Sequence, residues 1–120
     1  MAQILVVDDS QAEVDKISAI LKENGYDVVS ATSGEEGVAV AKQIKPDVVL
    51  MDIVMPGVNG FQATRQIKKD SGTGNIPVVI VTSKKQETDR IWGERQGAAA
   101  YLVKPVEEKN LLKTIADVLM

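Results

Sequence analysis

Three aspartates follow short apolar runs in the first half of the chain. Their carboxylates could bind a metal ion or attack an electrophile. Asp8 and Asp9 follow the run over residues 3–7, and Asp52 follows a second run that ends at Met51. Grouped carboxylates repel one another and resist ionising unless a cation lies among them. Carboxylate oxygens, a backbone carbonyl and waters are the ligands expected for Mg²⁺. If the two runs meet in the fold, they form a candidate magnesium site.

Two residues with other chemistry end later apolar runs. Lys104 would bring a second cation to the carboxylates, and the hydroxyl of Thr82 could donate to a phosphoryl oxygen. A carboxylate beside Mg²⁺ and a lysine can attack a phosphoryl group to give an aspartyl phosphate, while both cations neutralise its oxygens. Each residue alone has a plain structural explanation, since Asp9-Ser10 can cap a helix and Thr82 can bond to backbone. Only their combination predicts phosphoryl chemistry.

The elements that must position these residues alternate along the chain. Apolar runs rich in β-branched residues predict strands over residues 3–7, 27–31, 47–51, 77–81 and 99–103. Capping-box pairs, Ser10 with Glu13 and Ser33 with Glu36, predict the starts of two helices, which Gly25 and Pro46 end. Further helices are predicted over residues 61–70 and 87–96. The last helix is predicted to bury Leu111, Leu112, Ile115, Val118 and Leu119.

Strict alternation of strands and helices predicts an α/β fold, with a doubly wound, five-stranded parallel sheet. We expect one domain over residues 1–120 and the flavodoxin-like strand order 2-1-3-4-5, a common way to wind five such units. In that order strands 1 and 3 are neighbours roughly 5 Å apart. Their carboxyl ends, at the point where strand order reverses, are where a site is expected.

Composition and charge exclude several other functions. The 120 residues contain no cysteine and no histidine, which excludes disulfides, thiolate or histidine metal sites and histidine-based triads. The net charge is −3 and there is no basic stripe, so nucleic acid is not an expected partner. No basic stretch precedes the first apolar run, and no run approaches the roughly 20 residues that span a membrane. We therefore expect a cytoplasmic protein with no membrane association.

The order and spacing of four motifs resemble the receiver domain of bacterial response regulators, over essentially the whole chain. The motifs are Asp8-Asp9, Asp52-x-x-Met55-Pro56-x-x-x-Gly60, Val81-Thr82-Ser83 and Lys104-Pro105. The resemblance implies a stoichiometric phosphoacceptor, which is no enzyme beyond slow self-catalysed phosphotransfer and dephosphorylation. It also implies that a histidine kinase is the phosphodonor in a two-component phosphorelay.

The same resemblance implies a role for each site residue. Asp52 is the phosphoacceptor; Asp9 and Asp52 provide side-chain ligands to Mg²⁺, Asp8 assists through water and Val54 contributes its backbone carbonyl. Thr82 and Lys104 contact the phosphoryl group, and the Lys104–Pro105 peptide bond is cis, an isomer that proline makes tolerable.

The fourth helix, fifth strand and fifth helix are expected to carry the signal to a downstream protein, unless the domain is a phosphate sink for its kinase. The fourth helix has only Ile91 and Trp92 as large apolar residues, and Gly93 lies inside it. Gly93 either weakens the helix for switching or only makes packing room. We expect Trp92 to be exposed, and the ring of Tyr101 to turn inward when Asp52 is phosphorylated.

A narrower resemblance concerns the pathway. Residues 52–66 and 86–97 are similar to single-domain regulators of the chemosensory systems that control type IV pili and twitching motility. Identities in loops and helices carry this resemblance.

Two rival functions use a related fold or related chemistry. A phosphatase of the haloacid-dehalogenase type also has a strand-end aspartate and Mg²⁺, but it needs a second aspartate two positions on, where this chain has Val54. A flavin or nucleotide module needs amides and hydroxyls for an anionic phosphate after strand 1. Here Asp8 and Asp9 would repel that phosphate.

Overall fold

Over the residues that the structure describes, five strands and five helices alternate strictly, as the sequence predicts. The structure is a computed structural model that describes residues 2–120. The elements are β1 (Gln3–Val7), α1 (Gln11–Glu23), β2 (Asp27–Ala31), α2 (Gly34–Ile44), β3 (Val48–Met51), α3 (Gly60–Lys69), β4 (Val78–Thr82), α4 (Glu87–Arg95), β5 (Ala100–Val103) and α5 (Glu108–Leu119). The predicted element bounds differ from these by about one residue. Thr82 is the last residue of β4, as predicted.

The five strands form one parallel sheet in the order β2-β1-β3-β4-β5, which confirms the predicted fold class and strand order. The register pairs Val7 of β1 with Met51 of β3, so the two strands end side by side. On the other side of β3, Met51 pairs with Ile80 of β4. The carboxyl ends of the strands therefore form one edge, from which Asp8 and Asp52 extend.

Each face of the sheet packs against helices and buries its own apolar cluster. Strand residues Ile4, Val6, Leu50 and Val81 pack with α1 and α5 on one face. The other face packs against α2 and α3 and includes Leu5, Val7, Val49, Met51, Val78, Ala63 and Ile67. Most of the apolar faces predicted for α1 and α5 are buried, but Leu119 is exposed because α5 ends there, beyond the edge of the core.

Helix caps fix where the helices next to the site begin. The side chain of Ser33 accepts from the Glu36 amide at 3.1 Å, and Ser10 accepts from the Glu13 amide at 3.4 Å. A complete capping box that the sequence analysis did not predict starts α3, where Asn59 and Gln62 bond to each other's backbone amides. It fixes the end of the loop that follows Asp52.

α4 is the helix with the least buried side-chain surface. Its one buried residue is Gly93, and no side-chain hydrogen bond caps its start at Gln86. Trp92 is 48% exposed, which confirms the prediction for this side chain, and Ile91 beside it is 41% exposed. Within residues 2–120, no helix is both long enough and apolar enough to cross a membrane.

Candidate functional site

The structure brings the three predicted carboxylates together at the carboxyl edge of the sheet. Pairing of β1 with β3 is continued by a backbone hydrogen bond of 3.0 Å from the Asp52 amide to the Val7 carbonyl. One carboxylate oxygen from each of Asp8, Asp9 and Asp52 lies within 4.8 Å of the other two. Asp8 and Asp52 are buried, whereas Asp9 is exposed. The cluster thus has a buried floor and one side open to solvent.

Lys104 reaches the cluster from the end of β5. Its Nζ donates to Asp8 Oδ2 at 2.6 Å and lies 3.6 Å from Asp52 Oδ2. The lysine therefore bonds primarily to Asp8 in the unmodified chain and reaches Asp52 at longer range. The Lys104–Pro105 bond is cis, as the family resemblance implied.

The environment of Asp52 makes its ionised form less favourable than it is in water. Burial raises the pKa of Asp52, and the hydroxyl of Thr82 opposes this shift; the negative charge of Asp8 raises the pKa further, while Lys104 and a 2.8 Å hydrogen bond from the Ile53 amide lower it. The net direction is upward. Burial of a carboxylate without enough compensating positive charge raises its pKa. A cation that enters the cluster would lower the pKa again.

Lys104 shows the opposite balance. Burial lowers the pKa of its ammonium group, but the hydrogen bond to Asp8 and the charges of Asp52 and Asp8 outweigh that effect and raise the pKa overall. The lysine is therefore held in its charged form at the place where a phosphoryl group would need positive charge.

Thr82 is fully buried at the end of β4 and lies beside the carboxylates. Its Oγ1 accepts a long hydrogen bond, 3.5 Å, from the amide of Lys84 in the following loop. Its hydroxyl is also among the groups that lower the pKa of Asp52. A hydroxyl in this position can donate a hydrogen bond to an oxygen of a group bound to Asp52.

Tyr101 of β5 is hydrogen-bonded to the same loop residue, Lys84. Its ring is half-buried, and its hydroxyl donates to the Lys84 carbonyl at 2.7 Å. Burial, together with the negative charges of Asp89 and Asp52, raises the pKa of the phenol to about 12. The predicted change of ring orientation on phosphorylation stays a prediction.

The sequence analysis missed how tightly Gly60 packs against the backbone of Asp52. The sequence analysis identified Gly60 only as the end of a motif. A methyl group at this position would lie 2.0 Å from the Asp52 carbonyl oxygen, which no packing tolerates. The Gly60 amide also donates to the Ile53 carbonyl at 3.0 Å. Its spacing of eight residues from Asp52 was the available signal, but only the fold shows the contact.

Val54 lies on the loop between β3 and α3 and is 52% exposed. Its side chain stands two positions beyond Asp52, in the place where a haloacid-dehalogenase phosphatase has its acid–base aspartate. A valine there cannot transfer a proton.

Comparison with known proteins identifies the class to which this fold and site belong. Residues 4–116 match the response regulator receiver domain. The chain therefore belongs to the family of response regulator receivers, the proteins of two-component signalling that accept phosphoryl groups from histidine kinases.

Particular relatives support this assignment along the whole chain. Protein PilH of Pseudomonas aeruginosa is 63% identical over 119 residues, which cover 99% of this chain and 98% of that protein. The chemotaxis protein CheY4 of Vibrio cholerae has the same fold, with a TM-score of 0.93 and 34% identity over 99% of both chains. The receiver domain of a sensor histidine kinase from Pseudomonas aeruginosa has a TM-score of 0.91 and 28% identity over 98% of this chain and 97% of that one. That structure holds a magnesium ion in its active-site cleft.

The donors of this site fit the magnesium that receiver domains bind in their acidic active sites. The three clustered groups are hard carboxylate oxygens, and the chain has neither histidine nor cysteine to favour a softer metal. The raised pKa of Asp52 is further evidence of fit, because the buried cluster lacks positive charge that a divalent ion would supply.

Proposed function

We propose that Asp52 is the residue of this receiver that accepts the phosphoryl group, and that the receiver domain extends over residues 1–120. The observation that carries the proposal is the geometry around Asp52. It is a buried carboxylate within 4.8 Å of two others and 3.6 Å from the ammonium of Lys104, with the hydroxyl of Thr82 beside it. Nothing in a purely structural role requires this grouping of like charges.

Magnesium would be held by carboxylate oxygens of Asp9 and Asp52, with Asp8 assisting through water and the Val54 backbone carbonyl as a further ligand. Exposure of Asp9 leaves a route by which a hydrated ion can enter. When bound, Mg²⁺ neutralises phosphoryl oxygens and keeps Asp52 ionised as a nucleophile.

In the proposed reaction, a carboxylate oxygen of Asp52 attacks the phosphorus of a phosphohistidine on the kinase. The new oxygen–phosphorus bond forms as the phosphorus–nitrogen bond breaks, and the imidazole nitrogen keeps the electron pair. Lys104 then shifts from Asp8 toward a phosphoryl oxygen, and the hydroxyl of Thr82 donates to another. The chain is consumed once per transfer, so it is a phosphoacceptor with slow self-catalysed dephosphorylation rather than an enzyme.

The pathway we propose is control of type IV pili and twitching motility. Support comes from 63% identity to Protein PilH over nearly the whole chain, and from the resemblance of residues 52–66 and 86–97 to regulators of such systems. The phosphorylated state would be read by a downstream protein on α4, β5 and α5, where Trp92 is exposed. A role as a phosphate sink for the kinase is the alternative. We propose a cytoplasmic location, because a histidine kinase that draws its phosphoryl groups from ATP presents them there.

Intact mass measurement after incubation with acetyl phosphate and Mg²⁺ tests the proposal. The wild-type chain should gain one phosphoryl group, and Asp52→Asn should gain none. The matched control is Asp27→Asn, which changes an exposed aspartate at the start of β2 and should label like wild type. Labelling of Asp52→Asn, or labelling that EDTA leaves unchanged, would refute the proposed site.

A second assay separates this function from a haloacid-dehalogenase phosphatase. Small phosphate esters should not be turned over, because Val54 replaces the acid–base aspartate that this chemistry needs. Multiple turnovers per chain would favour the enzyme.

A further inference from the structure

The loop between β3 and α3 lies against the first turn of α2, and this contact bears on the metal site of the proposed function, on which the inference rests. Gly34 is buried at the start of α2. A methyl group at position 34 would lie 2.3 Å from the carbonyl oxygen of Val58 and 3.1 Å from its carbonyl carbon. Both are backbone atoms, so no change of rotamer in the loop could make room for it. The loop can approach α2 this closely because Gly34 has no side chain.

A second contact lies next to the first. Gly57 has a φ of 73°, in the left-handed region, and a methyl group there would lie 2.8 Å from Oε2 of Glu35. The side chain of Val58 packs against the apolar cluster on the face of the sheet that α2 and α3 cover. Two successive loop residues therefore lie against two successive residues of α2.

A side chain at position 34 would displace the loop rather than the helix. α2 is anchored to the core by Val38 and Ala41, which are buried. Pro56 and Gly57 of the loop are exposed. A segment with few buried contacts loses little free energy when it moves, whereas the helix would have to give up core packing.

Displacement of Val58 would affect the part of the loop that contains Val54. The Gly60 amide donates to the Ile53 carbonyl at 3.0 Å, and this hydrogen bond fixes both ends of the loop. A shift of Val58 must therefore be taken up by the residues between those ends. Val54 is one of them, and its backbone carbonyl is a proposed ligand of the metal ion.

The position of this carbonyl bears on which ion the site accepts. The carboxylates of Asp9 and Asp52 can adjust by rotation about side-chain bonds, but a backbone carbonyl moves only with its loop. Mg²⁺ requires ligands at about 2.0–2.1 Å in nearly octahedral geometry, whereas Ca²⁺ accepts more ligands at about 2.3–2.6 Å in flexible geometry. The carboxylates attract both ions, so the geometry of the ligands must distinguish between them.

We propose that Gly34 is a positioning residue for the metal site. Because it lacks a side chain, α2 holds the β3–α3 loop where the Val54 carbonyl suits Mg²⁺, and the site thereby favours Mg²⁺ over the larger Ca²⁺. Gly34→Ala changes no charge, so a change in the relative affinities for the two ions would come from geometry.

The test measures the dissociation constants of the unphosphorylated chain for Mg²⁺ and for Ca²⁺, each from the rise of Tm with ion concentration. In Gly34→Ala the constant for Mg²⁺ should increase about tenfold, a loss typical of groups that orient a metal ligand. The constant for Ca²⁺ should increase by a smaller factor. The control is Ile115→Val, which removes core packing on the opposite face of the sheet and should lower Tm without changing either constant.

Val58→Ala tests the same contact from the loop side and introduces no clash. It removes Cγ1, which would lie 3.1 Å from a methyl group at position 34, so Mg²⁺ should again be weakened more than Ca²⁺, but less than in Gly34→Ala. This variant carries the test if Gly34→Ala does not fold. Unchanged constants, or equal changes for the two ions, would overturn the proposal. Failure of the wild-type chain to bind Mg²⁺ would instead refute the proposed function.

Discussion

The centre of the sheet and its β5 edge differ in how much of their side-chain surface is buried. Every residue of β3 is buried, whereas none of the four residues of β5 is. α1 buries Val14, Ile17 and Leu21 against the sheet, but α4 buries only a glycine. The loop after Asp52 ends in a complete capping box, while α4 starts without any side-chain cap.

In the function we propose, the difference corresponds to two tasks. Carboxylates and a lysine that must contact one ion and one phosphoryl group need fixed positions, and the buried centre provides them. A surface that changes when the site is occupied must lose little free energy when it moves. A surface with few buried contacts meets this requirement. Hydrogen bonds from Tyr101 to Lys84 and from Lys84 to Thr82 connect the two regions.

The largest effect is expected from Gly60→Ala in the rigid region. Its methyl group would lie 2.0 Å from the Asp52 carbonyl oxygen and 2.7 Å from Ile53 Cα, both backbone atoms that cannot move aside cheaply. We expect the free energy of unfolding in urea to fall by about 3 kcal/mol. Gly72→Ala is the control, because Gly72 is exposed and its nearest neighbour would be 3.2 Å away. A loss below about 1 kcal/mol for Gly60→Ala would show that the centre is less rigid than the comparison requires.

Lys104→Met should have the next largest effect and act on the chemistry. The variant keeps most of the side-chain length but removes the charge that lies 2.6 Å from Asp8 and 3.6 Å from Asp52. Labelling by acetyl phosphate should slow by about 100-fold, the usual loss when one preorganised charge-stabilising group is removed. Lys109→Met, at an exposed position of α5, should label like wild type. If Lys104→Met also does, the lysine only neutralises Asp8.

Asp52→Asn should stabilise the fold in the absence of magnesium. Because burial raises the pKa of Asp52, its ionised form costs stability, and that cost appears as the pH rises through the folded-state pKa. With EDTA at pH 7 we expect the Tm of the variant to be higher by about 4 °C. The gain should shrink as the pH falls toward the range where the wild-type carboxyl is protonated.

Added Mg²⁺ should reverse the order of the two melting temperatures, because an ion that binds only the folded wild type stabilises it. Asp27→Asn is again the control and should follow wild type with and without the ion. A lower Tm for Asp52→Asn in EDTA would mean that Asp52 is a structural residue whose charge the fold already balances.

Much of the fold and the composition of the site could be predicted from sequence, for physical reasons. Fully buried parallel strands leave unbroken apolar runs, and Ser33 with Glu36 marks a helix start by local bonding alone. Strand-end placement of Asp8 and Asp52 then follows from the alternation. The strand order was adopted from common folds, since nothing local distinguishes one crossover from another.

Contacts between distant segments could not be predicted. That Lys104 bonds more closely to Asp8 than to Asp52 depends on where β5 ends in space. That Gly60 packs against the Asp52 carbonyl depends on the path of the loop between them, which local sequence signals do not determine. Leu119 was wrongly predicted to be buried because helical periodicity continues past the edge of the core.

The smallest effect is expected from Arg90→Ala, which tests how weakly α4 is held. Arg90 bonds to Glu87 and Glu94 on the exposed surface, and these pairs lie on a helix without a side-chain cap. Removing them should speed amide hydrogen exchange in α4 by about twofold, with a change in Tm below about 1 °C. Lys113→Ala breaks a similar exposed pair with Asp117 on α5, which Leu111 and Ile115 anchor. Exchange in α5 should therefore stay unchanged; equal effects in both helices would mean that α4 is no looser than α5, and the contrast between the two regions would fail.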